Sequence, residues 1–127
     1  MTILNHVCVG TDDMARATAF YNAALGELGI GVVAAHEDRL TMYGKDAPEF
    51  FVLRPANGQP ATFANGGTIG FRAETPDAVD RFHAAGMANG GRDEGAPGPR
   101  DFAPNAYAAY MRDPDGNKVC AVCFGGA

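Results

Sequence analysis

Tyr107-Ala108-Ala109-Tyr110-Met111-Arg112, Asp113-Pro114-Asp115-Gly116-Asn117 and Lys118-Val119-Cys120-Ala121-Val122-Cys123-Phe124 read in succession as a strand, a tight turn and a second strand. Pro114 presets φ for the first corner of a type I turn, and Gly116 supplies the positive φ that closes it with a bulge. If Asp113 and Asn117 flank the turn, Tyr110 stands opposite Cys120 on one face. Working outward, the question is what that face looks at.

Upstream, Leu4 to Val9 reads as a short strand whose alternation puts His6 and Cys8 on one face. Thr11 or Asp12 can cap the helix that follows, with Met14, Ala17, Phe20, Tyr21 and Leu25 as its buried stripe. Three strands are then expected, over Ile30–His36, Arg39–Tyr43 and Glu49–Leu53. Pro55 to Gly67 is rich in Pro, Gly, Asn and Ala, has no apolar period and reads as a boundary. Thr68 to Ala73 is again a strand. Thr75 as cap and Pro76 at the first position start a second helix, with Val79, Phe82 and Met87 buried. Arg92–Gly95 is a short strand, and Ala96–Asn105 a long loop.

Strand, helix and several strands thus occur twice. The offset that lays His6 on Thr68 also lays Val9 on Phe71, Ala17 on Val79 and Phe20 on Phe82. That is an internal duplication of one supersecondary unit. The predicted fold is α+β: paired βαβββ modules (residues 1–57 and 66–127, joined by linker 58–65) in one domain, forming a partly open, barrel-like cleft.

The 127 residues are 46% hydrophobic, enough for one core, and carry a net charge of −5 without a basic cluster. Nucleic-acid and anionic-membrane partners are not expected. No apolar run is long enough to span a membrane, and the N-terminus lacks the charged region of a signal peptide. Three cysteines without zinc-type spacing read as reduced thiols in a cytoplasmic protein.

The chain resembles the vicinal oxygen chelate superfamily of glyoxalase I, bleomycin-resistance proteins and extradiol dioxygenases. The resemblance runs nearly end to end. It is carried by the His6 strand with Phe20-Tyr21 on the next helix, and by Gly66-Gly67-Thr68-Ile69-Gly70-Phe71-Arg72-Ala73. Ala78 to Ala85, Gly90-Gly91-Arg92-Asp93, Pro104 to Tyr110 and the Asp113–Asn117 turn complete it. It implies paired modules and a homodimer, but no single reaction. It also implies a divalent metal (zinc, nickel, iron or manganese) held by a His on the first strand, a His or Glu on the last strand of module one, a His on the first strand of module two, and a Glu on the last strand. Here those positions carry His6, Phe50 or Val52, Thr68 and Cys120. Only His6 matches, so no bound metal and no cofactor are expected.

The expected ligand-binding cleft comprises His6, Cys8, Phe50, Val52, Thr68, Phe102, Tyr107, Tyr110 and Cys120. The resemblance places Tyr110 where dioxygenases have an acid/base tyrosine; otherwise it is an aromatic wall. His6 is a hydrogen-bonded strand residue or a donor to a bound oxygen ligand. Cys8 and Cys120 are buried hydrophobes, or thiols activated by His6. Cys123 is expected under a helix, and His36 and His83 at the surface. Arg100, on the long loop, is a solvated cation or an anion contact.

Three functions follow as expectations. The first is a small-molecule-binding protein without metal catalysis, for which the net charge leans toward a cationic ligand. The alternative is a glyoxalase-like lyase or dioxygenase with an altered ligand set. The third is a non-catalytic subunit with a vestigial cleft.

Overall fold

Alternating apolar residues let the inner strands bury one face under a helix, and the chain does this twice. The computed structural model describes residues 3–125. Its order is β1 (Val7–Gly10), α1 (Met14–Gly26), β2 (Gly31–His36), β3 (Leu40–Gly44), β4 (Pro48–Leu53), β5 (Ile69–Arg72), α2 (Pro76–Ala88), β6 (Arg92–Arg100), β7 (Ala106–Arg112) and β8 (Lys118–Cys123). The sheets run β1-β4-β3-β2 and β5-β8-β7-β6, each with one parallel pair and neither closed. This is the expected pair of βαβββ modules. The offset that lays His6 on Thr68 superimposes β1 on β5 and α1 on α2 end to end. Even the flanking hydrogen bonds repeat: Thr11 N donates to Leu53 O, and Ala73 N to Val122 O, both at 2.9 Å.

All five predicted α1 stripe residues are buried, and Phe20, Tyr21 and Leu25 have no exposed surface. Each such side chain contributes roughly 1.5–3 kcal/mol by leaving water. On α2, Val79 and Phe82 are buried but Met87 is exposed. Gly86 holds the inner position of that last turn, because a Cβ there would meet Met111 Sδ at 2.5 Å and Phe20 Cε1 at 3.0 Å. The two helices therefore approach closely, and one apolar core serves both modules.

Several boundaries move for local reasons. The first strand starts at Val7 rather than Leu4: β4 begins at Pro48, which has no N–H to extend the ladder beyond the Val7–Phe50 pair. Helix α1 is capped by Asp13, whose carboxylate accepts from Arg16 N at 3.0 Å. Asp12 instead takes Ala61 N at 2.7 Å and holds the linker. The expected loop after Gly95 is mostly strand: β6 runs to Arg100 through two register shifts. Pro97 and Pro99 are tolerated there because β6 is a sheet edge and bulged.

The Asp113–Asn117 turn ties the modules together. Asp113 N donates to Asn117 O at 2.8 Å, Gly116 N donates to Asp113 O at 2.9 Å, and Gly116 has φ of +94°. The Asp113 carboxylate is buried and accepts four hydrogen bonds. Asp115 N and Asn117 N reach Oδ1, both at 2.9 Å; Tyr21 OH (2.7 Å) and Asn117 Nδ2 (2.9 Å) reach Oδ2. Asn117 Nδ2 also donates to Gly10 O at 3.1 Å, and Asp12 N to Asp115 Oδ1 at 3.2 Å. Module two thus grips both β1 and α1 of module one.

Replacing Asp113 by Ala strands buried donors, and should cost about 3 kcal/mol in denaturant unfolding. Burial, reinforced by the Asp113 carboxylate, pushes the Tyr21 phenol well above its ordinary range. Its stabilisation is therefore full below about pH 10 and is lost as pH rises toward the higher native value. Tyr21→Phe should lower the melting temperature at neutral pH and flatten the alkaline decline.

Candidate ligand-binding site

Strand parity decides which side chains leave the core. In the first sheet Val7, Val9, Tyr43, Phe50 and Val52 lie under α1, while His6, Cys8, Met42, Phe51 and Leu53 stand on the open face. Phe50 and Val52 are therefore core residues, against expectation. Phe50 packs edge-on against Phe71 with ring centroids 5.0 Å apart, and only borders the groove between the sheets. The open-face residue is Phe51. It pairs with Cys8 as Cys120 pairs with Gly70, so Phe51 is the module-one counterpart of Cys120. One step along a strand reverses the face, and the sequence reading was one step off.

The same parity removes Tyr107 from the open face. Its hydroxyl donates to Asp80 of α2 at 2.7 Å. Tyr110 and Cys120 do stand opposite each other on the open face, as the turn predicted, and Cys123 faces the core. Phe102 is exposed beyond β6, its ring centroid 6.3 Å from that of Phe124.

The expected cleft residues form two groups. His6 and Thr68 border one end of the seam between the sheets, a groove of about 420 Å³ shared with Arg72. Cys8 and Thr68 border a second groove of about 280 Å³, closed by Thr62 of the linker and by Asn117 and Lys118. Tyr110 and Cys120 lie further along the second sheet. There the Lys118 ammonium sits 5.3 Å and the Arg100 guanidinium 5.6 Å from the centre of the Tyr110 ring. Arg100 belongs to β6, and the bulges of that strand fold it back. It donates to Gly98 O and Ala96 O at 2.9 Å each, and to Pro99 O at 3.2 Å. Phe51, Lys118 and Arg72 lie outside the expected set; the open-face parity of β4, β8 and β5 is the signal that points to them.

The donor set does not fit a divalent metal. His6 Nδ1 lies 2.8 Å from Asn5 Oδ1, and its ring stacks on Phe51 at 4.4 Å and 11°. Phe51 has no electron pair to offer, Thr68 has a neutral hydroxyl, and Cys120 is a thiol that burial pushes above its usual pKa despite Lys118 and Arg100. Among the described residues no three His, Cys, Asp or Glu side chains are grouped to hold an ion. Burial, with a further push from Cys120, raises the Tyr110 phenol and Arg100 opposes it; the hydroxyl is neutral at physiological pH. His83 of α2 is half-buried and lies 2.9 Å from Asp93 of β6.

Residues 3–121 match the family model of the glyoxalase/bleomycin resistance protein/dioxygenase superfamily, and the chain belongs to that superfamily. It is 48% identical to a glyoxalase/bleomycin resistance protein from Albidiferax ferrireducens of known crystal structure, covering 96% of this chain and 98% of that one with a TM-score of 0.86. A putative glyoxalase from Bacillus halodurans (24% identity, 97% and 96% covered, TM-score 0.72) shares the fold. So does a lactoylglutathione lyase from Agrobacterium tumefaciens (24%, 96% and 92%, TM-score 0.62). No curated protein matches the chain. No helix among the described residues is long and apolar enough to cross a membrane.

Of the three thiols, Cys8 is exposed and Cys120 and Cys123 are buried. One thiol per native chain should react with Ellman's reagent, and none in Cys8→Ser. Burial raises the Cys8 pKa, so the rate should climb with pH beyond the range of a free thiol.

Proposed function

We propose that this chain binds a small organic molecule on the open face of its paired sheets and uses no resident metal to do so. The observation that carries the reading is the donor set. Of the four positions at which the superfamily resemblance implies metal ligands, only His6 offers an imidazole or carboxylate; the others are Phe51, Thr68 and Cys120. One neutral imidazole with waters holds a divalent ion too weakly to keep it through purification. Grooves along the seam and an open aromatic on the second sheet support a ligand there. The superfamily resemblance and the length of the chain also favour a homodimer. Free thiols favour a reducing compartment.

The test pairs metal loading with ligand screening. After incubation with zinc, nickel, manganese or iron(II) and dialysis, elemental analysis should find well under one ion per chain, with little change in melting temperature. A thermal-shift screen of small metabolites and antibiotics should find stabilising compounds. A stoichiometric ion abolished by His6→Ala would restore the lyase or dioxygenase alternative. A screen without a single hit would favour the vestigial cleft.

A further inference from the structure

The net charge of −5 favours a cationic ligand, yet the open face of the second sheet carries Lys118, Arg100 and Arg112 against the carboxylate of Glu94. Lys118 and Arg100 both lie within cation–π range of Tyr110, and both act electrostatically on the Cys120 thiol. Neither takes part in an ion pair among the described residues; Arg112 is the cation that Glu94 engages, at 3.7 Å. Three backbone carbonyls fix the Arg100 guanidinium, so its position carries little further entropy cost. Lys118 is half-buried and also lines the seam groove, beside Thr62, Thr68 and Cys8. That groove, about 280 Å³, is smaller than sites for drug-sized ligands, which run from roughly 300 to 1,000 Å³.

We propose that Lys118 anchors an anion beside Tyr110, taking the carboxylate or phosphate of a small organic acid whose body lies in the adjoining seam groove, while Arg100 adds positive field from the β6 side of the ring. The inference rests on the ligand-binding reading above and names its ligand class. The ammonium supplies a mobile donor, while the fixed guanidinium adds field. Thr62 and Thr68 offer hydroxyls to the neutral part of the ligand. The Tyr110 ring keeps the ammonium near the open face without neutralising it.

Isothermal titration of the full chain with benzoate, phenyl phosphate, benzyl alcohol and benzylamine tests this. The two acids should bind, with affinity falling as salt rises, and the alcohol and amine should not. Benzoate against phenyl phosphate tells which acid the subsite prefers. Lys118→Met should weaken acid binding by about tenfold or more, the effect of losing one charge-assisted hydrogen bond, and Lys118→Arg should retain most of it. Equal binding of benzyl alcohol and benzoate, or acid binding unchanged in Lys118→Met, would overturn the subsite while leaving the ligand-binding reading intact. Binding of none of the four probes would also overturn it. The broader reading falls only if the wider screen is empty as well.

Discussion

The fold depends on one buried carboxylate. Asp113 accepts from its own turn, from Asn117 and from Tyr21 of the other module. Burial pushes its pKa up, and the four donors pull it down. A carboxylate out of water is tolerable only when its oxygens are filled in this way. Here the filling partners come from two modules, so satisfying the charge also fixes how the modules sit. Asn117 adds the link to Gly10. The neighbouring Asp115 is less well served: Oδ1 meets Asp12 N at 3.2 Å and Arg16 at 3.5 Å, while its buried Oδ2 has no hydrogen-bond partner among the described residues.

The duplication is not symmetrical in this respect. The repeat offset carries Tyr21 onto His83, which turns to Asp93 and leaves the seam alone. The turn of module one, opened by Gly44, is tightened backbone on backbone: a Cβ on that glycine would meet Ala47 O at 1.8 Å. One module supplies the polar lock and the other receives it. The edge-on Phe50–Phe71 contact completes the seam with apolar surface.

Much of the fold was legible in local signals. The α1 stripe, the Thr75–Pro76 start of α2 and the Tyr110–Cys120 pairing across one tight turn depend on residues close in sequence, and the repeat offset on patterns local to each module. What was hidden depends on partners distant in sequence. Pro48 decides where β1 begins, Phe20 and Met111 make Gly86 rather than Met87 the inner residue, and β7 recruits the proline-rich run of β6 as an edge strand. The site suffered most, because a face is a parity and a one-residue error inverts it. His6, Cys8, Tyr110 and Cys120 stand on the open face, whereas Phe50, Val52 and Tyr107 belong to the core side. Net charge averages over the whole surface, whereas a ligand meets the few charges within a Debye length.

The segment that makes the superfamily recognisable is Asp113-Pro114-Asp115-Gly116-Asn117. In this chain its polar groups are turned inward, to the turn itself, to Tyr21, to Gly10 and to Asp12. They hold the scaffold together. A motif that locks two modules together is useful to every protein built on them, whatever chemistry the open face performs. Family membership therefore reports the lock and not the reaction. The proposed site residues, His6, Phe51, Thr68, Cys120 and the two cations beside Tyr110, take no part in the Asp113 hydrogen bonds.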